Sequence, residues 1–192
     1  MAGRRWSTSL VAMLVVVTLL AGCAPKRSSP EPTTAPTVSL PGSASPSAAP
    51  TNPDVAAVQA AVGAYRGMWD AYMRVLTNPD PASPELRRFA TGAALQTLVD
   101  GVGKVKEQGL KGEGFFALAP RVTEIAPASG PTKVGVRDCV NTTDSRIVRA
   151  SPGPAYSDSP GGRRLCVASV EHQGDGSWKV SSFGLQAVGT CS

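Results

Sequence analysis

The sequence predicts an α+β domain, with N-terminal helices packed on one face of a curved antiparallel sheet of about four strands. Three observations carry this prediction. Apolar residues recur at steps of three and four between Val55 and Val102, the helical period. After Gly114 the period falls to two, as in a strand whose faces alternate. Two of the alternating runs flank "GDGS", a short hairpin turn. Helices followed by strands, rather than interleaved with them, give segregated layers.

Ahead of this domain the chain has two other regions. Arg4 and Arg5 precede the apolar run "LVAMLVVVTLL", the layout of a secretory signal peptide. That run is shorter than the about 20 apolar residues that span a bilayer. It ends in Leu20-Ala21-Gly22-Cys23, which resembles the lipobox of bacterial lipoproteins. The resemblance implies that residues 1–22 are removed and that Cys23 becomes a diacylated N-terminus; "RRWSTSL" resembles a twin-arginine signal only weakly, so the general secretory route is expected. Two acyl chains anchor a protein stably where one does not. Residues 23–53 are rich in Pro, Ser, Thr and Ala without apolar periodicity, and are expected to form a disordered tether.

The folded domain is assigned to residues 54–192. Val55, Val58, Val62, Tyr65, Trp69, Tyr72 and Leu76 fall on one helical face, opened by "TNPD" and stopped by "TNPDP". A second helix starts at "SPELRRFA", with Ser83 as cap and Pro84 at the first position. Leu86, Phe89, Ala90, Ala93, Leu98 and Val102 are its expected core face, and Gly101 and Gly103 its expected fraying end. "FFALAPRVTEIAPAS" reads as one strand bent at Pro120. "TKVGVRDCV" places Val134, Val136, Asp138 and Val140 on a single face. Residues 141–162 read as a Gly/Pro/Ser-rich loop, and "RRLCVASVEHQ" and "WKVSSFGLQAV" as the closing hairpin.

The formal charge of +5 and pI of 9.3 overstate the domain's basicity. Arg4, Arg5, Lys26, Arg27 and Glu31 lie outside residues 54–192, leaving 15 basic against 13 acidic residues, a net of +2. No basic run is interleaved with aromatics, so no nucleic-acid partner is expected.

Together "YRGMWDAY", "LRRFATGAALQTL", "PRVTEI", "RDCV" and "GSWKV…GTC" resemble a family of secreted actinobacterial proteins. Their domain belongs to the nuclear transport factor 2-like superfamily, a cystatin-like α+β cone. The resemblance covers most of residues 54–192 and is carried by the order of the motifs. It departs from the family at Asn141, where an acidic residue usually follows "DCV", and in the long loop after it. The resemblance implies a fold more than a function, since the superfamily holds both enzymes and binding modules.

It also bears on the cysteines. With Cys23 assigned to lipid, Cys139, Cys166 and Cys191 remain, all expected at one edge of the sheet. The family's pairing maps onto Cys139 and Cys191, which leaves Cys166 free. Cys139–Cys166, as cross-strand neighbours, is the rival pairing. Three cysteines and one histidine lack the spacing of a zinc knuckle, so neither a metal nor a cofactor is expected.

Chemistry is sparsely encoded. His172, the only histidine, falls near the "GDGS" turn and has no triad partner at recognisable spacing. There is no G-x-S-x-G, phosphate-binding glycine loop or H-E-x-x-H. Asp138, among valines, requires a partner or a raised pKa. In enzymes of the resembled superfamily an acidic residue inside the cone acts as a general base. Tyr65 and Trp69 are candidates, with Asp138, to line a pocket. The expected function is a lipid-anchored module on the extracytoplasmic face of the cell membrane, non-catalytic, binding an envelope protein or small ligand. The alternatives are a small pocket enzyme of isomerase or hydrolase type using Asp138 as base, and a structural scaffold for envelope machinery.

Overall fold

The helical period at the start of the domain becomes a 25-residue helix, α1 (Pro53–Thr77), in the computed structural model, which describes residues 52–154 and 156–192. The signal peptide, Cys23 and nearly all of the tether lie outside the described residues. The Asn52 side chain caps α1 by accepting from the Asp54 amide at 2.9 Å. Tyr65, Trp69 and Leu76 turn inward as their spacing predicts, whereas Val55, in the first turn, is 48 % exposed.

The second helix is two helices. α2 (Glu85–Phe89) ends where Ala90 becomes extended, and α3 (Gly92–Glu107) follows. The break has a physical cause: Ala90 forms a parallel bridge with Val180, and the Thr91 amide donates to the Val180 carbonyl at 2.9 Å. The interruption changes the phase of the following turn, so Ala94 is buried and the expected core residue Ala93 is exposed. α3 also runs through Gly101 and Gly103 instead of fraying there. A Cβ at Gly101 would stand 2.6 Å from the Tyr72 hydroxyl, so the missing side chain admits α1 rather than ending α3.

The strands number six among the described residues, in two groups. β1 (Leu110–Gly114) pairs with β4 (Ser145–Arg149) as a separate antiparallel ribbon. The main sheet takes the order β2 (Arg121–Ala126), β3 (Lys133–Asn141), β5 (Arg163–His172), β6 (Trp178–Leu185), every pair antiparallel. The ribbon corrects the sequence expectation, since β4 lies inside the segment expected as loop and β1 just before the first expected strand. "FFALAPRVTEIAPAS" is extended but forms a strand only from Arg121, with Ala117 bridging Asn141 on the way.

Val134, Val136, Asp138 and Val140 on β3, and Cys166, Ala168 and Val170 on β5, make one buried inner face. α1 packs on this face, and its Tyr65, Met68 and Trp69 share one core with Leu98 and Val102 of α3, which lies against β6. The outer face is solvated, with Val167 exposed on it, while Ile125, opposite Val134 and so on the inner row of the edge strand β2, is exposed as well. The domain is therefore α+β, with helices on one side of an antiparallel sheet.

Cys139 is bonded to Cys191, with Cα atoms 5.8 Å apart. The rival pairing fails on register. Cys139 stands opposite Leu165, while Cys166 stands opposite Asp138 and points to the inner face. Adjacent positions on a strand face opposite ways, so the two thiols lie on different sides of the sheet.

Candidate functional site

The sheet and α1 diverge at the end of the domain that carries the C-terminus of β3, and the gap is an open cavity of about 620 Å³. One wall is aromatic. Trp69 meets Phe116 edge-on at 5.5 Å and Phe183 at 5.2 Å, between ring centroids. Tyr72 packs beside Trp69 at 6.2 Å, while Leu98 and Leu185 extend the apolar lining.

The other wall is polar and comes from the segment before β5. Thr142 and Gly162 clasp each other: the Thr142 hydroxyl donates to the Gly162 carbonyl at 3.1 Å, and the Gly162 amide donates back to that hydroxyl at 3.0 Å. Gly161 leaves no room for a side chain, because its Cβ would fall against the Thr142 carbonyl. Asp158 fastens this segment to β4 by accepting from the Ile147 amide at 2.6 Å, and from the Ser159 amide at 2.8 Å. Three cations line the cavity: Lys104 from α3, Arg146 from β4 and Arg164 from β5. Arg146 is committed to Glu113 across the ribbon, at 2.8 Å. Arg146 and Lys111 hold the Glu113 carboxyl below its ordinary pKa.

Behind the aromatic wall lies a second, closed group of polar atoms. Asp138 is 2 % exposed, and its Oδ1 accepts from the Ala119 amide at 2.8 Å. Asp138 Oδ2, Tyr65 Oη and Trp69 Nε1 are buried without a partner at hydrogen-bond geometry. The Cys166 thiol is a loose polar neighbour of the Tyr65 hydroxyl. Burial is the largest influence on Cys166, and with the Asp138 charge it pushes the thiol up to about 11, against an opposing pull from Tyr65. Tyr65 is also pushed well above its ordinary value, chiefly by burial.

The three expected pocket residues thus separate. Trp69 lines the cavity; Tyr65 and Asp138 do not. His172 is exposed and lies edge-on to Trp178 at 5.3 Å, away from the cavity. Among the described residues no group of His, Cys, Asp and Glu is arranged to hold a metal ion, and no helix is long and apolar enough to cross a membrane. Sequence reading missed Phe116, Phe183 and Arg164. The signal for Arg164 was parity, since it continues the row of Cys166, Ala168 and Val170.

No family model matches the chain, and no curated protein matches it. Solved structures resemble it at low identity. The intermembrane-space region of the chloroplast protein ARC6 is 12% identical, with a TM-score of 0.42, covering 64% of this chain and 94% of that one. A protein from Catenulispora acidiphila is 12% identical, with a TM-score of 0.42, covering 68% and 91%. A ketosteroid isomerase-like protein from Erwinia carotovora atroseptica is 16% identical, with a TM-score of 0.39, covering 69% and 95%.

Proposed function

We propose that the chain is an actinobacterial lipoprotein of the cell envelope whose nuclear transport factor 2-like domain binds a small ligand without transforming it. The lipobox-like "LAGC" and the Pro/Ser-rich segment after it support the address. Cys23 is the attachment point and residues 24–53 the leash that holds the domain away from the membrane.

The observation that carries the binding reading is the separation of cavity from carboxylate. The cavity of about 620 Å³ falls in the range of small-molecule sites and joins an aromatic wall to a few convergent polar groups. Asp138, the candidate base, is outside its lining and already accepts a hydrogen bond from Ala119. A general base must reach the proton it removes, directly or through one water.

Two measurements test the two halves. Mass spectrometry of the exported protein is expected to find a diacylated N-terminal Cys23; an unmodified Cys23, or cleavage elsewhere, would overturn the address. Native mass spectrometry is expected to find a small molecule retained by the wild type and lost in Thr97→Trp, which fills the cavity from α3. A reproducible turnover abolished by Asp138→Asn would overturn the non-catalytic reading in favour of the pocket enzyme.

A further inference from the structure

Arg164 is the cavity's unexplained residue. It lies on the inner row of β5, two positions before Cys166. Its Nε is buried and has no hydrogen-bond partner. Four ion pairs join described residues, Arg74–Glu85, Lys111–Glu113, Lys133–Glu124 and Arg146–Glu113, and Arg164 is in none of them. A guanidinium nitrogen buried without an acceptor is costly, and the planar fork of this half-buried side chain matches the paired oxygens of a carboxylate or phosphate.

The cavity's own anions are otherwise engaged. Both oxygens of Asp158 take backbone amides, from Ile147 and Ser159. Asp100 accepts from Gln96 at 2.7 Å on the solvent side of α3. Lys104, exposed at the rim and also outside the four ion pairs, adds a second uncommitted positive charge. The same cavity is lined by the apolar rings of Trp69, Phe116 and Phe183.

We propose that the cavity takes an amphipathic anion, with a carboxylate or phosphate group held by Arg164 and an apolar body laid on Trp69, Phe116 and Phe183. This rests on reading the domain as a binding module, and it names the ligand class. Lys104 draws the same anion in from the rim and contributes less, because an exposed charge is screened.

The test is isothermal titration of the full-length chain with naphthylacetate, naphthyl phosphate and the neutral naphthylacetamide. At least one anion is expected to bind about ten-fold or more tighter than the amide, as a hydrogen-bonded charge pair predicts. The tighter of the two anions identifies the group. Arg164→Gln is expected to lower the anions to the level of the amide and to leave the amide unchanged. Arg164→Lys, which keeps the charge in case the first variant misfolds, retains a reduced preference that declines with added salt. If the amide binds as tightly as both anions, or if Arg164→Gln affects all three probes alike, the anion assignment fails while the binding module stands. If none of the three binds, both fail.

Discussion

Asp138 and Cys166 stand directly opposite each other in the β3–β5 ladder, both buried on its inner face, one residue out of step with the Cys139–Cys191 bridge. That single-residue offset assigns the cysteines. Cys139 turns outward, to a C-terminal tail that is also held by Thr190, whose hydroxyl accepts from the Leu165 amide at 2.9 Å. Cys166 turns inward and meets only the core.

Cys191→Ser should therefore destabilise the domain without being rescued by Cys166. The bridge closes a loop of sequence separation 52. The chain-entropy argument puts the loss at about 4 kcal/mol as an upper figure. Denaturant unfolding of wild type and variant measures it, and a disulfide-mapped digest should find Cys139 free rather than joined to Cys166. A Cys139–Cys166 bridge in the variant would contradict the register.

The buried thiol and phenol make stability fall at alkaline pH. Cys166 moves from 9.0 to about 11 on folding, so the unfolded chain loses its proton first. An acid whose folded pKa is raised contributes fully below its unfolded value and loses that contribution as pH rises through the folded one. The denaturation midpoint should thus decline from about pH 9 to about pH 11. Cys166→Ala should flatten the start of this decline and leave the part due to Tyr65, which begins above 10.0. Native Cys166 should also resist alkylation at neutral pH, because only the thiolate reacts.

What the sequence made legible was whatever periodicity alone can carry. The inner face of β3 could be read residue by residue, Asp138 included, because strict alternation leaves no other arrangement for its valines. The break after α2 could not, because it depends on a bridge from Ala90 to Val180, a residue in the last strand. β1 and β4 were hidden for a similar reason. "LKGEG" and "SRIVR" become strands only in each other's company, and glycine and charge give them weak individual signals. The cavity was half legible. Trp69 belonged to a visible helical stripe, whereas Phe116 and Phe183 converge on it from segments far apart in the chain.

Two glycines of α1 should respond in opposite ways to alanine. Gly63 is exposed, and a side-chain carbon placed on it would have nothing within 4 Å. Gly63→Ala should therefore stabilise by about 0.5–1 kcal/mol through helix propensity alone. At Gly67 the new carbon would stand 2.5 Å from the Phe89 ring. Gly67→Ala must push that ring and α2 away, a form of overpacking that costs about 1–3 kcal/mol. Thermal melts of the two variants compare them directly. A stabilising Gly67→Ala would show that α2 does not rest on α1.

Asp138 offers the sharpest comparison, between Asn and Ala. Its Oδ1 accepts from the Ala119 amide at 2.8 Å and so ties the crossing segment before β2 to the sheet. Asn keeps an acceptor in the same place and removes a charge from an apolar face, so Asp138→Asn should change stability by no more than about 1 kcal/mol. Asp138→Ala removes the acceptor and leaves a small void, and should cost about 2–4 kcal/mol. Urea unfolding separates the two. Both variants should make the alkaline decline shallower, since the Asp138 charge is one of the influences that raise Cys166 and Tyr65 in the folded state. Neither should weaken a ligand seated in the cavity, because Asp138 does not line it. A loss of binding in Asp138→Asn with stability intact would place the carboxylate in contact with the ligand, and the separation of cavity from carboxylate would no longer hold.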